Sequence, residues 1–400
     1  MTRHEPILIV GGGLGGLTAA LALAKRGRPS RVLEGAPAFG AIGYGIQFGP
    51  NVFHVFDRLD LMEQVLAAAD FPAAVLMLDA LDGKELVRIP TGASFRARFK
   101  FPYIVIHRID LHNVLLDACR KNDAIELVSD AMVTGFEDRG DSVAVTTADN
   151  RTFSGEALVA ADGFRSLFRT ALIDDGEPRP VGYVALRTIV PIGELRADVP
   201  RDCVVLWGGP GLHIVHYPLR HGTEFNIVNV YRTPAHAERL DAASARAELD
   251  HAYRSTHPSM RALTAMMDLQ WRRSIGDRNP ARPWHKGRVV LLGDAAHAPL
   301  QSLAQGAGMA IEDGLCLAEL IHAADGDFPS AFHHFEAARL VRTARVQLES
   351  RTLWHSFYHL DEGIERDVRN ATVAGWDEAH VFNCLSWLYD GAKIPNLSNR

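Results

Sequence analysis

The sequence predicts an α/β fold with an inserted mixed β-sheet, on three observations. An apolar strand, a glycine-rich turn, a helix and a second strand follow one another within residues 6–34. Two later apolar strands end near residues 160 and 292, each followed by a glycine-containing motif, which indicates one sheet assembled from separated parts of the chain. Between them, β-branched and alternating runs over 182–230 indicate a second sheet. The predicted fold class is a Rossmann-like dinucleotide-binding domain, interrupted by a mixed β-sheet domain and followed by helices.

The individual elements follow from hydrophobic periodicity and from the turn residues between them. The predicted strands are 6–10, 31–34, 126–133, 142–147, 157–160, 204–207, 213–217, 224–231 and 288–292. The predicted helices are 17–25, 52–69, 107–119, 241–256 and 308–322, with a largely helical tail from residue 328. We accordingly assign 1–75, 101–175 and 277–327 to a discontinuous dinucleotide domain, 76–100 and 176–276 to a substrate domain, and 328–400 to a C-terminal helical region.

Composition excludes several classes of protein. The chain has 400 residues, and its net charge of −6 argues against nucleic acid as a partner. The four cysteines are far apart and the histidines show no metal-ligand spacing, so we expect neither a disulfide framework nor a metal site. No apolar run is long enough for a membrane span or a signal-peptide core, and we expect a cytoplasmic protein.

The first turn carries a dinucleotide fingerprint. Gly11, Gly13 and Gly16 form Gly-x-Gly-x-x-Gly between the first strand and the first helix. Gly11 allows the tight turn, Gly13 lets the backbone approach a pyrophosphate, and Gly16 permits close packing of helix on strand. Glu34 ends the second strand, where a carboxylate can accept hydrogen bonds from a ribose and disfavours a 2′-phosphate. The fingerprint alone leaves NAD and FAD open as the cofactor.

Two further motifs end strands later in the chain. Residues 158–169 end a strand with Asp-Gly-x-x-Ser-x-x-Arg, which contains Asp162 and Gly163. Residues 290–299 end another with Gly-Asp-Ala-Ala-His, which contains Gly293 and Asp294. The three motifs in this order resemble those of the group A flavoprotein monooxygenases, the p-hydroxybenzoate hydroxylase-like family of FAD-dependent aromatic hydroxylases. The resemblance covers essentially the whole chain.

The resemblance implies FAD as the bound cofactor and assigns residues to it. Asp294 is expected to bind the ribityl chain, with the following helix presenting its N-terminus to the flavin. Asp162 and Gly163 belong to a motif linked with both FAD and the nicotinamide cofactor. Arg108 is expected near the FAD, with a surface or helix-capping arginine as the alternative, and the two aspartates could also act as turn or helix caps. The remaining residues expected at the cofactor are Gln47, Gly293, Pro299, Gly306 and Ala307.

One loop narrows the resemblance. Gln301 stands where many relatives have proline, Ala304 replaces a glycine, and Gly308 replaces an asparagine. This departure argues against assignment as a salicylate 1-hydroxylase or a 6-hydroxynicotinate 3-monooxygenase. The loop instead resembles that of the 3-hydroxybenzoate 6-hydroxylases, which carry Pro-Leu-Gln at this place. That match implies para-hydroxylation of 3-hydroxybenzoate to 2,5-dihydroxybenzoate (gentisate), using NADH (NADPH being possible), O2 and a flavin C4a-hydroperoxide. It also implies a homodimer, to which the aromatic C-terminal helices could contribute.

Four side chains are predicted to act on the substrate. His213 is the expected base, because an ordinary imidazole titrates near neutral pH and a phenolate activates its ortho and para carbons. Strand alternation places His213 and Tyr217 on one face. By resemblance Gln301 orients the phenolic oxygen, while Tyr217 and Tyr103 are expected to donate to the carboxylate or hydroxyl. The alternatives are a strand histidine satisfied by backbone, a loop amide capping a helix, and tyrosines that serve only the core.

Three other functions stay open from the sequence. The first is a related hydroxylase acting on salicylate, 6-hydroxynicotinate or another phenol. The second is a flavin reductase or dehydrogenase that hydroxylates nothing and releases peroxide. The third is a regulatory flavin-binding protein without turnover.

Overall fold

A computed structural model describes residues 5–40, 43–233 and 240–392. Its strands are β1 Ile7–Val10, β2 Ser30–Leu33, β3 Gly45–Phe48, β4 Ala69–Asp70, β5 Ala74–Asp79, β6 Glu85–Pro90, β7 Ile104–His107, β8 Ile125–Val128, β9 Val133–Asp138, β10 Val143–Thr147, β11 Thr152–Gly155, β12 Leu158–Ala160, β13 Arg179–Pro191, β14 Val204–Gly209, β15 Leu212–Leu219, β16 Glu224–Arg232, β17 Arg273–Asp277, β18 His285–Lys286 and β19 Val289–Leu291. Its helices are α1 Leu14–Lys25, α2 Phe53–Arg58, α3 Met62–Ala67, α4 Ala93–Phe99, α5 Arg108–Arg120, α6 Leu167–Leu172, α7 Ala242–Tyr253, α8 Pro258–Ala265, α9 Asp294–His297, α10 Gly306–Ala323, α11 Phe328–Leu353, α12 Ile364–Val373 and α13 Glu378–Tyr389.

The first sheet has six strands in the order β18-β19-β12-β1-β2-β8. All neighbours are parallel except β18 and β19. Strands β1, β12 and β19 are fully buried apolar segments, as expected where helices cover both faces of a parallel sheet. Val10 pairs with Ala160, and Ala160 pairs with Leu291. The glycine turn and the two later motifs therefore meet at one edge of the sheet.

The second sheet has seven strands in the order β17-β13-β16-β15-β14-β5-β6, antiparallel except for the β14–β5 pair. One face packs on α7 and α8 through a cluster that includes Leu249 and Leu263. The opposite face meets the first domain and the C-terminal helices, with Tyr217 and Trp354 among the buried residues. The sheet thus has one structural face and one face available for a site.

The C-terminal residues close one end of that second face. Helix α11 is 26 residues long, and a π-helical turn at Trp354–Tyr358 follows it directly. This turn carries Tyr358 and His359 to the seven-stranded sheet, where Tyr358 Oη donates to the carbonyl of Ser302 at 2.8 Å. Helix α13 packs its Phe382 and Tyr389 against aromatic side chains of α4.

Two predicted elements were wrong. The single helix at 52–69 is a 3-10 turn at Pro50–Val52, then α2 and α3, and the segment ends as β4. The single strand at 126–133 is two strands, β8 and β9, because Asp130 between them has a left-handed φ of 52°. The domain assignment stays a prediction, and it reaches beyond the described residues at both termini, at 41–42 and at 234–239. Its boundaries at 75/76 and 276/277 fall inside β5 and β17, two strands of the seven-stranded sheet.

Candidate functional site

A cavity of about 420 Å³ lies between the edge of the six-stranded sheet and the free face of the seven-stranded sheet. It joins two groups of residues that are far apart in the sequence. Of the predicted residues, it is lined by Gly13, Gln47, Arg108, Gly163, His213, Tyr217, Gly293, Asp294, Pro299, Gln301, Gly306 and Ala307. Cavities at a domain boundary are common small-molecule sites.

The glycine turn has the shape that its sequence predicts. A Cβ on Gly11, whose φ is +110°, would lie 2.3 Å from the carbonyl oxygen of Ala161. A Cβ on Gly16 would lie 2.0 Å from the Gly11 oxygen, so only glycine permits this approach of α1 to the strand. A Cβ on Gly13 would meet no atom within 4 Å, because this residue faces the cavity. Gly11 and Gly16 shape the turn, and Gly13 is the glycine that a ligand can approach.

Glu34 lies beside this turn and outside the cavity lining. Its Oε2 accepts from the backbone N–H of Gly12 at 2.8 Å, and its Oε1 accepts from Ala36 at 2.9 Å. Each carboxylate oxygen keeps a second lone pair, so both can still accept a hydrogen bond from a ribose hydroxyl.

Asp294 and Arg108 carry opposite charges, and both line the cavity. The Asp294 carboxyl lies deep inside the protein but faces the cavity; burial raises its pKa, while His297 and Arg108 act in the opposite direction. The Arg108 guanidinium has no hydrogen-bond or ion-pair partner within the described part of the chain. Arg108 is also the first residue of α5, and the helix is capped by His107. Both charged groups are therefore available to a ligand.

The N-terminus of α10 also points into this space. Gly306 and Ala307 line the cavity, and no side chain caps the helix at Gln305. Its first N–H groups and the positive end of its dipole are thus free to meet negative charge. Behind them, Asp313 accepts from Gly293 N at 3.1 Å and contacts His297 Nε2 at 2.6 Å. His297 is buried against Asp313 and does not line the cavity, as expected for a structural histidine.

Asp162 lies at the cavity margin with one oxygen in use. Its Oδ2 accepts from Leu167 N at 2.9 Å, at the start of α6, so a capping role is real. Its Oδ1 is buried and has no hydrogen-bond partner among the described residues. The motif's arginine was not singled out from the sequence: Arg169 is buried and donates to the carbonyls of Ala295 and Ala296. Arg169 thus ties the second motif to the third.

The other end of the cavity is formed by β15. His213, Val215 and Tyr217 all line it, as strand alternation predicts, while His216 points away and accepts from Trp207 Nε1 at 3.0 Å. His213 Nδ1 lies 2.7 Å from His359 Nε2. Burial lowers the pKa of His213 to about 3, below the near-neutral value of an ordinary imidazole, and its role as the base stays a prediction.

Arg187 on β13 is a cavity residue that sequence reasoning missed. Its Nη2 donates to Gln301 Oε1 at 3.0 Å, and its guanidinium lies 6.0 Å from the centre of the Tyr44 ring. It has no acidic partner among the described residues, and burial lowers its pKa. By contrast, Arg220 is half-exposed and paired with Asp110 and Glu224. The available signal was an arginine on the same strand face as Tyr183 and Ala185, which are buried.

Tyr103 does not line the cavity, so the structure gives no support to its predicted contact with substrate. Its Oη donates to Gln47 Oε1 at 2.6 Å, and Gln47 is the residue that reaches the cavity. Burial raises the pKa of Tyr217, with Arg187 and a hydrogen bond from Gln47 acting in the opposite direction. Tyr103 therefore holds Gln47 from behind, and Tyr217 is the predicted tyrosine of the two that lines the cavity. Tyr44 and Tyr358 also line the cavity and were missed.

Neither a metal centre nor a membrane span is found in the part of the chain that the structure describes. No three His, Cys, Asp or Glu side chains come close enough to hold an ion. No described helix combines the length and the apolar character needed to cross a bilayer.

Comparison with known proteins assigns the chain to a family. A family model described as an FAD binding domain matches residues 4–339. The 3-hydroxybenzoate 6-hydroxylase of Polaromonas naphthalenivorans (strain CJ2) is 38% identical over 384 residues, which are 96% of this chain and 95% of that protein. The chain belongs to the FAD-dependent aromatic hydroxylases. A second relative, the 3-hydroxybenzoate 6-hydroxylase of Klebsiella oxytoca, is 37% identical over 97% of both chains. The crystal structure of Klebsiella pneumoniae HpxO with FAD and uric acid matches at a TM-score of 0.86 and 25% identity, over 99% of each chain.

The residues of this aromatic hydroxylase fit FAD. Gly13 leaves open space at the turn for a pyrophosphate, and the uncapped N-terminus of α10 suits the negative charge of a reduced flavin. Asp294 and Arg108 line the cavity and have no partner side chain among the described residues, and the buried Oδ1 of Asp162 likewise has none there. When bound, FAD supplies electron transfer from the nicotinamide cofactor and the activation of O2. The protein's share is to bind, orient and shield the reactants.

Proposed function

We propose that this protein hydroxylates 3-hydroxybenzoate at the position para to its hydroxyl group, giving 2,5-dihydroxybenzoate (gentisate). The observation that carries the proposal is that one cavity is lined both by Arg187, which has no acidic partner among the described residues, and by the imidazole of His213. Arg187 and Gln301 offer donors to a carboxylate and an oxygen, and His213 offers a ring nitrogen to a phenol. Two relatives named 3-hydroxybenzoate 6-hydroxylase, which are 37 and 38% identical to this chain, support the same substrate.

The charge balance of the cavity favours an anionic substrate. An arginine in a largely enclosed site without a carboxylate partner is costly, and an anion that binds there recovers part of that cost. Arg187 has four further N–H donors besides the one that it gives to Gln301. We therefore assign the substrate carboxylate to Arg187 and place the ring between it and the end of the cavity lined by the cofactor motifs.

His213 and Gln301 then act on the phenolic oxygen. With Nδ1 engaged by His359, the His213 Nε2 is the nitrogen left to accept the phenol proton. Gln301 Oε1 accepts from Arg187, so its amide N–H groups are free to donate to the same phenolic oxygen. A phenol that shares its proton with an imidazole is electron-rich at the para carbon, which is where an electrophilic oxygen attacks.

The test is a comparison of substrates with identified products. The FAD-loaded protein is mixed with NADH or NADPH and 3-hydroxybenzoate, salicylate or 6-hydroxynicotinate, and each product is identified by chromatography and mass. Gentisate from 3-hydroxybenzoate, formed in step with NADH loss, supports the proposal. Turnover of one of the other two acids would assign a related hydroxylase. Peroxide without any hydroxylated product from the whole series would point to a non-hydroxylating oxidoreductase.

Three further assignments are proposals that rest on the resemblance. NADH is proposed as the preferred reductant, and the cytoplasm is proposed as the location. A homodimer is supported by apolar side chains that α11 and α12 expose, among them Val341 and Ile364. Light scattering of the FAD-loaded protein measures the oligomeric state, and a monomer at micromolar concentration would contradict the proposed homodimer.

A further inference from the structure

Two buried histidines from distant parts of the chain contact each other behind the cavity. His213 Nδ1 lies 2.7 Å from His359 Nε2, and the rings stack with centroids 4.9 Å apart. The exposed fractions of the two residues are 1% and 4%. His359 reaches this place through the π-helical turn that follows α11. The contact therefore depends on the C-terminal region closing over the seven-stranded sheet.

The pair is enclosed mainly by aromatic rings. Tyr183 stacks on His359 at 4.7 Å, and Trp354 presents its ring at a right angle to both imidazoles. No carboxylate hydrogen-bonds to either ring within the described residues. The titratable and charged groups that face the pair are Tyr183, Tyr253, Tyr358, His355, Arg232 and, through its ion pair with Arg232, Asp361.

This contact restricts how His213 can carry its proton. One proton is shared between the two facing nitrogens, so either His213 donates to His359 or the reverse. Only the first arrangement leaves the cavity-facing Nε2 of His213 free of hydrogen, and only then can it accept from a phenol. An acceptor at the position of His359 is therefore needed for His213 to act as a base.

We propose that His359 is a positioning residue, which accepts the Nδ1 proton of His213 and so directs the lone pair of Nε2 at the substrate. The proposal rests on the proposed function. In the step, the phenol O–H bond breaks and a bond from hydrogen to His213 Nε2 forms. The hydrogen bond from Nδ1 to His359 shortens as positive charge grows on His213, and the phenolate balances that charge. No other reactant is required.

Burial makes the partner necessary. The pKa of His213 is about 3 because the ring is desolvated, and burial also lowers the pKa of His359 well below its ordinary value. An isolated ring of this kind accepts a proton poorly. A neutral acceptor on the far nitrogen stabilises the charged form, as the orienting partner of a catalytic histidine does elsewhere.

The test compares two substitutions of opposite effect. His359→Phe removes the acceptor and keeps an aromatic ring, while His359→Glu supplies a stronger, charged acceptor. The readout is the pH at which 3-hydroxybenzoate bound to the FAD-loaded protein ionises, followed by its ultraviolet difference spectrum without NADH. His359→Phe is expected to raise this pKa and to lower kcat/KM by roughly 10- to 100-fold. His359→Glu is expected to lower the ligand's pKa relative to the Phe variant.

A matched control and a second readout keep the outcomes distinct. His216→Gln replaces a buried histidine of the same strand that faces away from the cavity, and it should leave the ligand's pKa unchanged. FAD content and thermal midpoint report folding of each variant. Equal ligand pKa values in wild type, Phe and Glu variants would overturn the proposal. Failure of the wild type to bind 3-hydroxybenzoate at all would instead refute the proposed function.

Discussion

Arg187 provides the most specific prediction about substrate recognition. Arg187 is the one guanidinium without an acidic partner that the described residues place at the β15 end of the cavity. Replacing it by Met removes this charge but keeps an unbranched side chain of similar length beside Tyr44. A hydrogen bond to a charged group contributes about 1.5–3 kcal/mol, and each 1.4 kcal/mol is tenfold in rate or affinity. We therefore expect kcat/KM for 3-hydroxybenzoate to fall roughly 10- to 150-fold.

The assay separates charge recognition from general damage. The same variant is measured with 3-hydroxybenzamide, which keeps the phenol but lacks the negative charge, and the loss there should be only a few-fold. Arg187→Lys keeps the charge without the fork and should lie between wild type and Met. Arg220→Met serves as the control, because this arginine is ion-paired outside the cavity lining. An equal loss for the acid and the amide would refute the assignment of the carboxylate to Arg187.

Three further predictions concern the cofactor site and stability. Gly13→Ala should fold normally yet bind FAD at least tenfold more weakly, because the added Cβ enters the open cavity space. Gly16→Ala should fail to fold, because its Cβ would lie 2.0 Å from a carbonyl oxygen. Flavin fluorescence measures FAD binding and circular dichroism measures folding, and normal FAD affinity in Gly13→Ala would contradict the first prediction. Arg339→Met removes the arginine that the buried carboxylates of Glu312 and Asp313 share. It should lower the free energy of unfolding, measured in urea, by about 3–5 kcal/mol. A loss under about 1 kcal/mol would contradict this prediction and would mean that the ion-pair network rearranges around the change. Burial would raise the pKa of Asp313, but His297 and Arg339 outweigh it and hold it at about 2, against 3.8 for a free Asp. A depressed pKa stabilises the fold above the unfolded value, so this contribution should disappear as the pH falls from about 4 toward 2; acid unfolding of Asp313→Asn should lack that part of the pH dependence.

Much of the cofactor site follows from local sequence. The three motifs each end a parallel strand, and the carboxyl ends of adjacent parallel strands meet at one edge. Gly13, Gly163 and Asp294 could therefore be placed together without knowing the register. The common face of His213 and Tyr217 likewise needs only the two-residue period of a strand.

The substrate end depends on contacts that no local pattern specifies. Arg187 and Gln301 are 114 residues apart, and their hydrogen bond requires the register of β13 as well as the path of the loop after α9. His359 reaches His213 across 146 residues through a π-helical turn, which has no clear sequence signal. The sequence also predicts Tyr103 at the substrate, but in the structure its hydroxyl donates to Gln47. In each case the deciding factor is which partner tertiary packing brings within hydrogen-bond distance.

We propose that this FAD-dependent enzyme inserts one atom of O2 into 3-hydroxybenzoate. The most direct measurement is the mass of the product formed by the FAD-loaded protein with NADH under isotopically labelled O2. We predict gentisate that carries one labelled oxygen atom, in an amount that matches the NADH consumed. Recovery of intact, unlabelled 3-hydroxybenzoate, with labelled peroxide as the only product of O2, would contradict the proposed hydroxylation.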